Sequence, residues 1–104
     1  MAVLHITNEN FDQEVLQSAQ PVLLDFWAGW CVPCMMLAPV IEELAGEVTD
    51  AKICKVNVDE QPELAAQFHV ANIPMLLVMK EGKIVSKDVG VKNKDELMHM
   101  LKSE

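Results

Sequence analysis

No stretch of this 104-residue chain is apolar for long enough to cross a bilayer, which takes about 20 consecutive residues of helix. Positive charge is scarce as well. Lys and Arg number 8 against 16 Asp and Glu, and a net charge of -8 argues against nucleic acid or an anionic membrane as the main partner, because both would repel the chain at long range. Only three cysteines are present, Cys31, Cys34 and Cys54. An odd and small count does not make the stapled framework of a secreted mini-domain, and it fits a reducing compartment better. Met1 to Phe11 offers neither a basic n-region nor an apolar h-region, so no secretory signal is expected and the chain reads as cytoplasmic. There is no repeat, low-complexity tract or Gly/Ser-rich linker. Residues 1–104 therefore read as a single domain, large enough to bury a core without staples. No metal is expected either: His5, His69 and His99 are widely separated, and no second cysteine pair joins Cys31 and Cys34.

What is present is an alternation of strand and helix signals. Ala2 to Ile6 is a short strand candidate, and Phe11, Val15 and Leu16 mark a helix face behind the capping-type Asn8 and Asn10. Val22 to Trp27 is a nearly unbroken apolar run, as expected of a strand covered on both faces. From Cys34, the residues Leu37, Val40, Ile41 and Leu44 recur at helical spacing, with Pro39 expected to kink the helix and Glu42, Glu43 and Glu47 read as a solvated face. Ala51 to Asp59 reads as another central strand, with Cys54 a small core residue in it. Pro62 opens a helix carrying Leu64 and Phe68 on one face. Met75 to Met79 and Lys83 to Val89 flank Glu81 and Gly82 as an antiparallel hairpin, and Leu97, Met100 and Leu101 define a closing helix. The order βαβαβαββα demands an α/β fold, a mixed sheet with helices on both faces.

At the end of the apolar run stands Trp30-Cys31-Val32-Pro33-Cys34. Two cysteines three positions apart on a first helical turn lie one above the other, at a separation compatible with the Cα spacing of a disulfide. Pro33 is tolerated between them because first-turn N–H groups have no intrahelical partner. The pair reads as a reversible dithiol at the carboxyl end of a central strand, the edge where chemistry gathers in open α/β sheets. Two small core hydrophobes, half of a metal site, or a binding module that uses its apolar face without its thiols are the competing readings. Trp30, Val32 and Pro33 form no inward stripe, which weighs against the first. Asp25 is the only carboxylate set in the apolar strand, where desolvation raises its pKa and suits it to exchange a proton near neutral pH.

The segment Phe26-Trp27-Ala28-Gly29-Trp30-Cys31-Val32-Pro33-Cys34, together with Asp25, Ala38-Pro39, Lys55 to Asp59, Ile73-Pro74 and Gly90, resembles the thioredoxin family nearly end to end. The resemblance implies the thioredoxin fold, a central mixed five-stranded sheet flanked by four helices. It implies a protein-disulfide reductase in which Cys31 is the nucleophile, its thiolate favoured by the helix N-terminus, and Cys34 is the resolving thiol. Asp25 would then accept the Cys34 proton through water, with Lys55 offsetting part of its desolvation, unless the two form only a structural ion pair. A cis Ile73-Pro74 bond is implied, with a docking patch of Trp30, Val32, Pro33, Ile73, Pro74, Gly90 and Val91 for an extended substrate segment. The implied partners are protein disulfides and a thioredoxin reductase as electron donor, with no cofactor and a monomeric state. Three departures stand out. Val32 replaces the usual glycine, Met35 the usual lysine and Met75 the usual threonine, from which a more apolar and adaptable docking face is expected.

Overall fold

The apolar run becomes the middle of a five-stranded mixed sheet in the computed structural model, which describes residues 2–104. The strands are β1 (Leu4–His5), β2 (Val22–Trp27), β3 (Lys52–Asn57), β4 (Met75–Lys80) and β5 (Lys83–Val89), in the spatial order β1-β3-β2-β4-β5. β1 and β2 both run parallel to β3, β4 runs antiparallel to β2, and β5 returns antiparallel beside β4. Glu81 and Gly82 both have positive φ, as a two-residue hairpin turn requires. The helices are α1 (Val32–Glu47), α2 (Pro62–Gln67) and α3 (Lys94–Leu101).

Side-chain alternation along each central strand divides the core into two layers. On one face Leu23, Ile53, Leu76 and Val78 pack against Leu37, Ile41 and Leu44 of α1 and Leu97 and Met100 of α3. On the other, Leu24, Phe26, Val56 and Leu77 pack against Phe11, Val15, Leu64 and Phe68. Helices thus cover both faces of the sheet. Pro62 sits in the first turn of α2, and Asn93 caps α3 in a reciprocal capping box with Glu96. Pro39 lies inside α1 without ending it.

Three sequence expectations are corrected here. The first helix is a five-residue π-helical turn, Asp12–Leu16, closed by the Gln17 N–H donating to the Asp12 carbonyl at 3.0 Å. Its wider turn brings Val15 inward and leaves Leu16 exposed. Asn10 does not cap it: the side chain accepts the Thr7 N–H at 2.7 Å and donates to the His5 carbonyl at 3.0 Å, closing the preceding turn. β1 is shorter than Ala2 to Ile6. The solvated face of α1 stands as expected, with Glu42, Glu43 and Glu47 exposed, and Lys94 bridges Glu43 and Glu47 at 2.8 and 2.7 Å and ties α3 to α1.

Cys54 lies within the layer formed by Phe26, Val56 and Phe68, and burial pushes its thiol up to about 12. It is an inert core residue. Alkylation of the reduced chain at about pH 8 is expected to spare Cys54 until denaturant is added. Cys54→Ser is expected to lower stability by about 1–3 kcal/mol, read by denaturant unfolding, because it leaves a hydroxyl unsatisfied in an apolar layer.

Candidate active site

β2 ends at Trp27 and α1 begins at Val32, so the short connection places Cys31 at the helix N-cap. The backbone N–H of Cys34 donates to Cys31 Sγ at 3.2 Å, a place usually taken by a serine or threonine oxygen. No acidic residue occupies the first turn of α1, so no carboxylate on it opposes the positive end of the helix dipole at the sulfur. The two cysteines are joined as a disulfide with a Cα–Cα distance of 5.2 Å. Cys31 is not openly exposed: it retains 5% of its surface against 1% for Cys34, and both pack with Ala28 against Trp27, Val58 and Ile73. The outer sulfur lies 3.7 Å from the Ile73 carbonyl oxygen.

The residues expected to dock substrate gather around this point from three connections. Trp30 is 70% exposed, and its Nε1 donates to the Asp59 carboxylate at 2.9 Å. Val32 and Pro33 are exposed on the first turn of α1. The Ile73-Pro74 bond is cis, Ile73 is half-buried against the cysteines, and Pro74 is buried beneath the face. Gly90, at φ 104°, donates its N–H to the Pro74 carbonyl at 2.9 Å, which brings the connection carrying exposed Val91 against the Ile73-Pro74 loop. Met35 is exposed beside Val32 as expected. Met75 is not: at 1% exposure it belongs to the core, because alternation along β4 turns it into the layer with Phe26.

Asp25 is fully buried on the sheet face that α1 covers, opposite Lys55 in the β2–β3 register. Neither of its oxygens has a hydrogen-bond partner among the described residues. Burial pushes its pKa up to about 7, with the nearby Lys55 charge opposing the shift. The two do not form an ion pair. Lys55 Nζ instead stands 4.4 Å from the centroid of the Trp27 ring in a cation–π contact. Asp59 and Trp27 were not among the candidate residues. The signal was available for both: parallel β2 and β3 end at the same edge, so residues just past Asn57 must meet those just past Trp27.

Two cysteines at disulfide distance, the first of them capping a helix just past a strand end, define the site of a thiol-disulfide oxidoreductase. The thioredoxin family profile matches residues 2–103. The chain is 42% identical over 104 residues to a thioredoxin of Acidithiobacillus ferridurans, covering 99% of this chain and 96% of that one. It is 47% identical over 102 residues to a thioredoxin of Staphylococcus haemolyticus (97% and 96%), and 46% identical over 101 residues to one of Mycobacterium tuberculosis (96% and 87%). The chain belongs to the thioredoxin family.

The Asp25 carboxyl makes stability depend on pH in a defined direction. Its proton leaves near 3.8 in the unfolded chain and near about 7 in the folded one, so the folded state holds the extra proton between these values and stability falls as pH rises across that window. A shift of this size corresponds to about 4 kcal/mol. Asp25→Ala is therefore expected to be more stable than the parent by ~2–3 kcal/mol at about pH 8.5, after some loss of packing, with the advantage shrinking toward about pH 4. Equal stability of the two at about pH 8.5 in urea unfolding would contradict the buried, unpaired carboxylate.

Proposed function

We propose that the reduced chain passes electrons to protein disulfides, with Cys31 as nucleophile and Cys34 as the resolving thiol. The Cys31 thiolate attacks one sulfur of the substrate disulfide, forming a mixed disulfide and releasing the other substrate sulfur as a thiolate. Cys34 then gives its proton to Asp25 and attacks Cys31 Sγ. This step breaks the mixed disulfide, frees the second substrate thiolate and closes Cys31–Cys34; two electrons have passed to the substrate. A thioredoxin reductase restores the dithiol. The chain acts as a monomeric electron carrier of cytoplasmic redox homeostasis, and no bound cofactor takes part in the exchange.

The observation that carries this reading is the N-cap position of Cys31. A thiolate there accepts the Cys34 N–H and faces the positive end of α1, whereas Cys34 sits inside the helix against the sheet. Asp25 supports the second step: a carboxyl titrating near about 7, on the face covered by α1, is ionised enough to accept a proton at neutral pH and basic enough to hold it. Lys55, stacked on Trp27, tempers that pKa without neutralising the group. Trp30, Val32, Pro33, Ile73, Gly90 and Val91 form the docking face, and Pro74 supports it from below.

Single-cysteine variants test the division of roles. Cys34→Ser is expected to accumulate a stable mixed disulfide with oxidised insulin through Cys31, and Cys31→Ser to form none at a comparable rate; trapping through Cys34 instead would reverse the assignment. The rate of mixed-disulfide resolution is expected to rise with pH through about 7 as Asp25 ionises. In Asp25→Asn that inflection disappears and resolution near neutral pH slows by about 10- to 100-fold, within the range of general-base contributions. An unaltered pH profile in stopped-flow measurements removes Asp25 from the mechanism.

A further inference from the structure

Charge is spread unevenly along the sequence. Residues 1–51 hold eight carboxylates and neither lysine nor arginine, while residues 52–104 hold eight carboxylates and all eight lysines; arginine is absent altogether. The dithiol lies in the half without cations. The centre of its face is apolar, with Trp30, Val32, Met35 and Met36 all exposed.

The rim of that face is acidic. Asn57 Oδ1 accepts the backbone N–H groups of Asp59 and Glu60 at 2.9 and 3.1 Å, folding the end of β3 into a turn that exposes both residues and sets Asp59 against Trp30, with Glu60 next to it in the chain. The Asp59 contact to Trp30 fixes that placement. Neither carboxylate takes part in an ion pair among the described residues. The nearby cations do not compensate. Lys92, close to Gly90, is held by Asp88 at 3.3 Å and by the Val89 carbonyl at 3.1 Å, and Lys55 is buried over Trp27. Met35 occupies the place where the family resemblance leads one to expect a lysine, so that cation is missing too.

We propose that this face selects disulfide segments carrying a Lys or Arg near the reacting cysteine, the cation facing Asp59 and Glu60 while an apolar neighbour rests on Trp30, Val32 and Met35. The proposal rests on the exchange reading above and adds the chemistry of the partner. Exposed carboxylates act mainly by speeding encounter, and the overall charge of -8 pulls in the same direction. The preference is therefore a rate effect that salt screens.

The test uses the reduced full chain and three disulfides: two peptides of identical apolar sequence with either Lys or Glu flanking the cysteines, and the uncharged 2-hydroxyethyl disulfide. At about 10 mM salt the Lys peptide is expected to be reduced about tenfold faster than the Glu peptide, and at about 0.5 M within about twofold. Glu60→Lys and Met35→Lys are each expected to lower the Lys-to-Glu rate ratio by about threefold at low salt. Equal rates for the two peptides at low salt, a ratio indifferent to salt, or a ratio unmoved by both variants overturns the docking proposal, provided the uncharged disulfide is reduced. Failure to reduce the uncharged disulfide overturns the exchange reading itself.

Discussion

The register of β2 against β3 is the constraint on which the site depends. It sets Asp25 opposite Lys55 and Trp27 opposite Asn57, and because the strands are parallel their chains leave the sheet at one edge. From β2 the chain turns into Cys31 and the start of α1; from β3 it turns into Asp59 and Glu60. The capped cysteine and the carboxylate that holds Trp30 therefore meet although 28 residues separate them in sequence. A slip of one residue in β2 would reverse every side chain in it, carrying Asp25 to the face of Phe68 and Phe26 to that of α1. Leu23, Leu24 and Phe26, all fully buried, oppose such a slip from both layers at once.

The same register sets up a three-sided arrangement in which one cation has two prospective partners. Lys55 stands beside a carboxyl and an indole, and it takes the indole face. A cation–π contact of this kind contributes about 0.5–2 kcal/mol. Contact with Asp25 would have stabilised the carboxylate and drawn its pKa back toward the ordinary range. With the ammonium held over Trp27, the attraction acts only through space, desolvation dominates, and the carboxyl keeps a proton to about 7. The fold carries this destabilising group on the strength of the apolar layers on either side of it.

Much of this was legible from the chain, and the limits were physical. The long apolar runs and the helical stripe Leu37, Ile41 and Leu44 gave the layers, because burial on both faces leaves a pattern that few structures share. The dithiol and Asp25 were readable for the same reason: each is a polar or reactive group where pattern calls for an aliphatic one. The π-helical turn was not readable, since Phe11 and Val15 have the same spacing in either kind of helix and only the Gln17 hydrogen bond distinguishes them. Met75 was assigned to the surface by its position after Pro74, while the alternation of β4 buries it. The partner of Lys55 was equally hidden, because its cross-strand neighbour Asp25 and the Trp27 ring further along the same face both compete for it.

Accessibility does not distinguish the two cysteines well, since both are nearly covered in the disulfide. Their environments do. Cys31 has the Cys34 N–H directed at its sulfur and the acid-free first turn of α1 behind it; Cys34 lies on the buried side of α1, the helix that covers the sheet face holding Asp25. An anion is stabilised at the first position by fixed dipoles, and at the second it is opposed by apolar surroundings until a base takes its proton. The order of events in the proposed exchange follows from that contrast. A sulfur that ionises through the helix end can attack first, and one that depends on a buried carboxyl titrating near about 7 waits until Asp25 is free to receive its proton. In the proposed exchange the same helix end thus activates one thiol and, by placing the other a turn deeper, couples the second step to the protonation of Asp25 on the sheet beneath it.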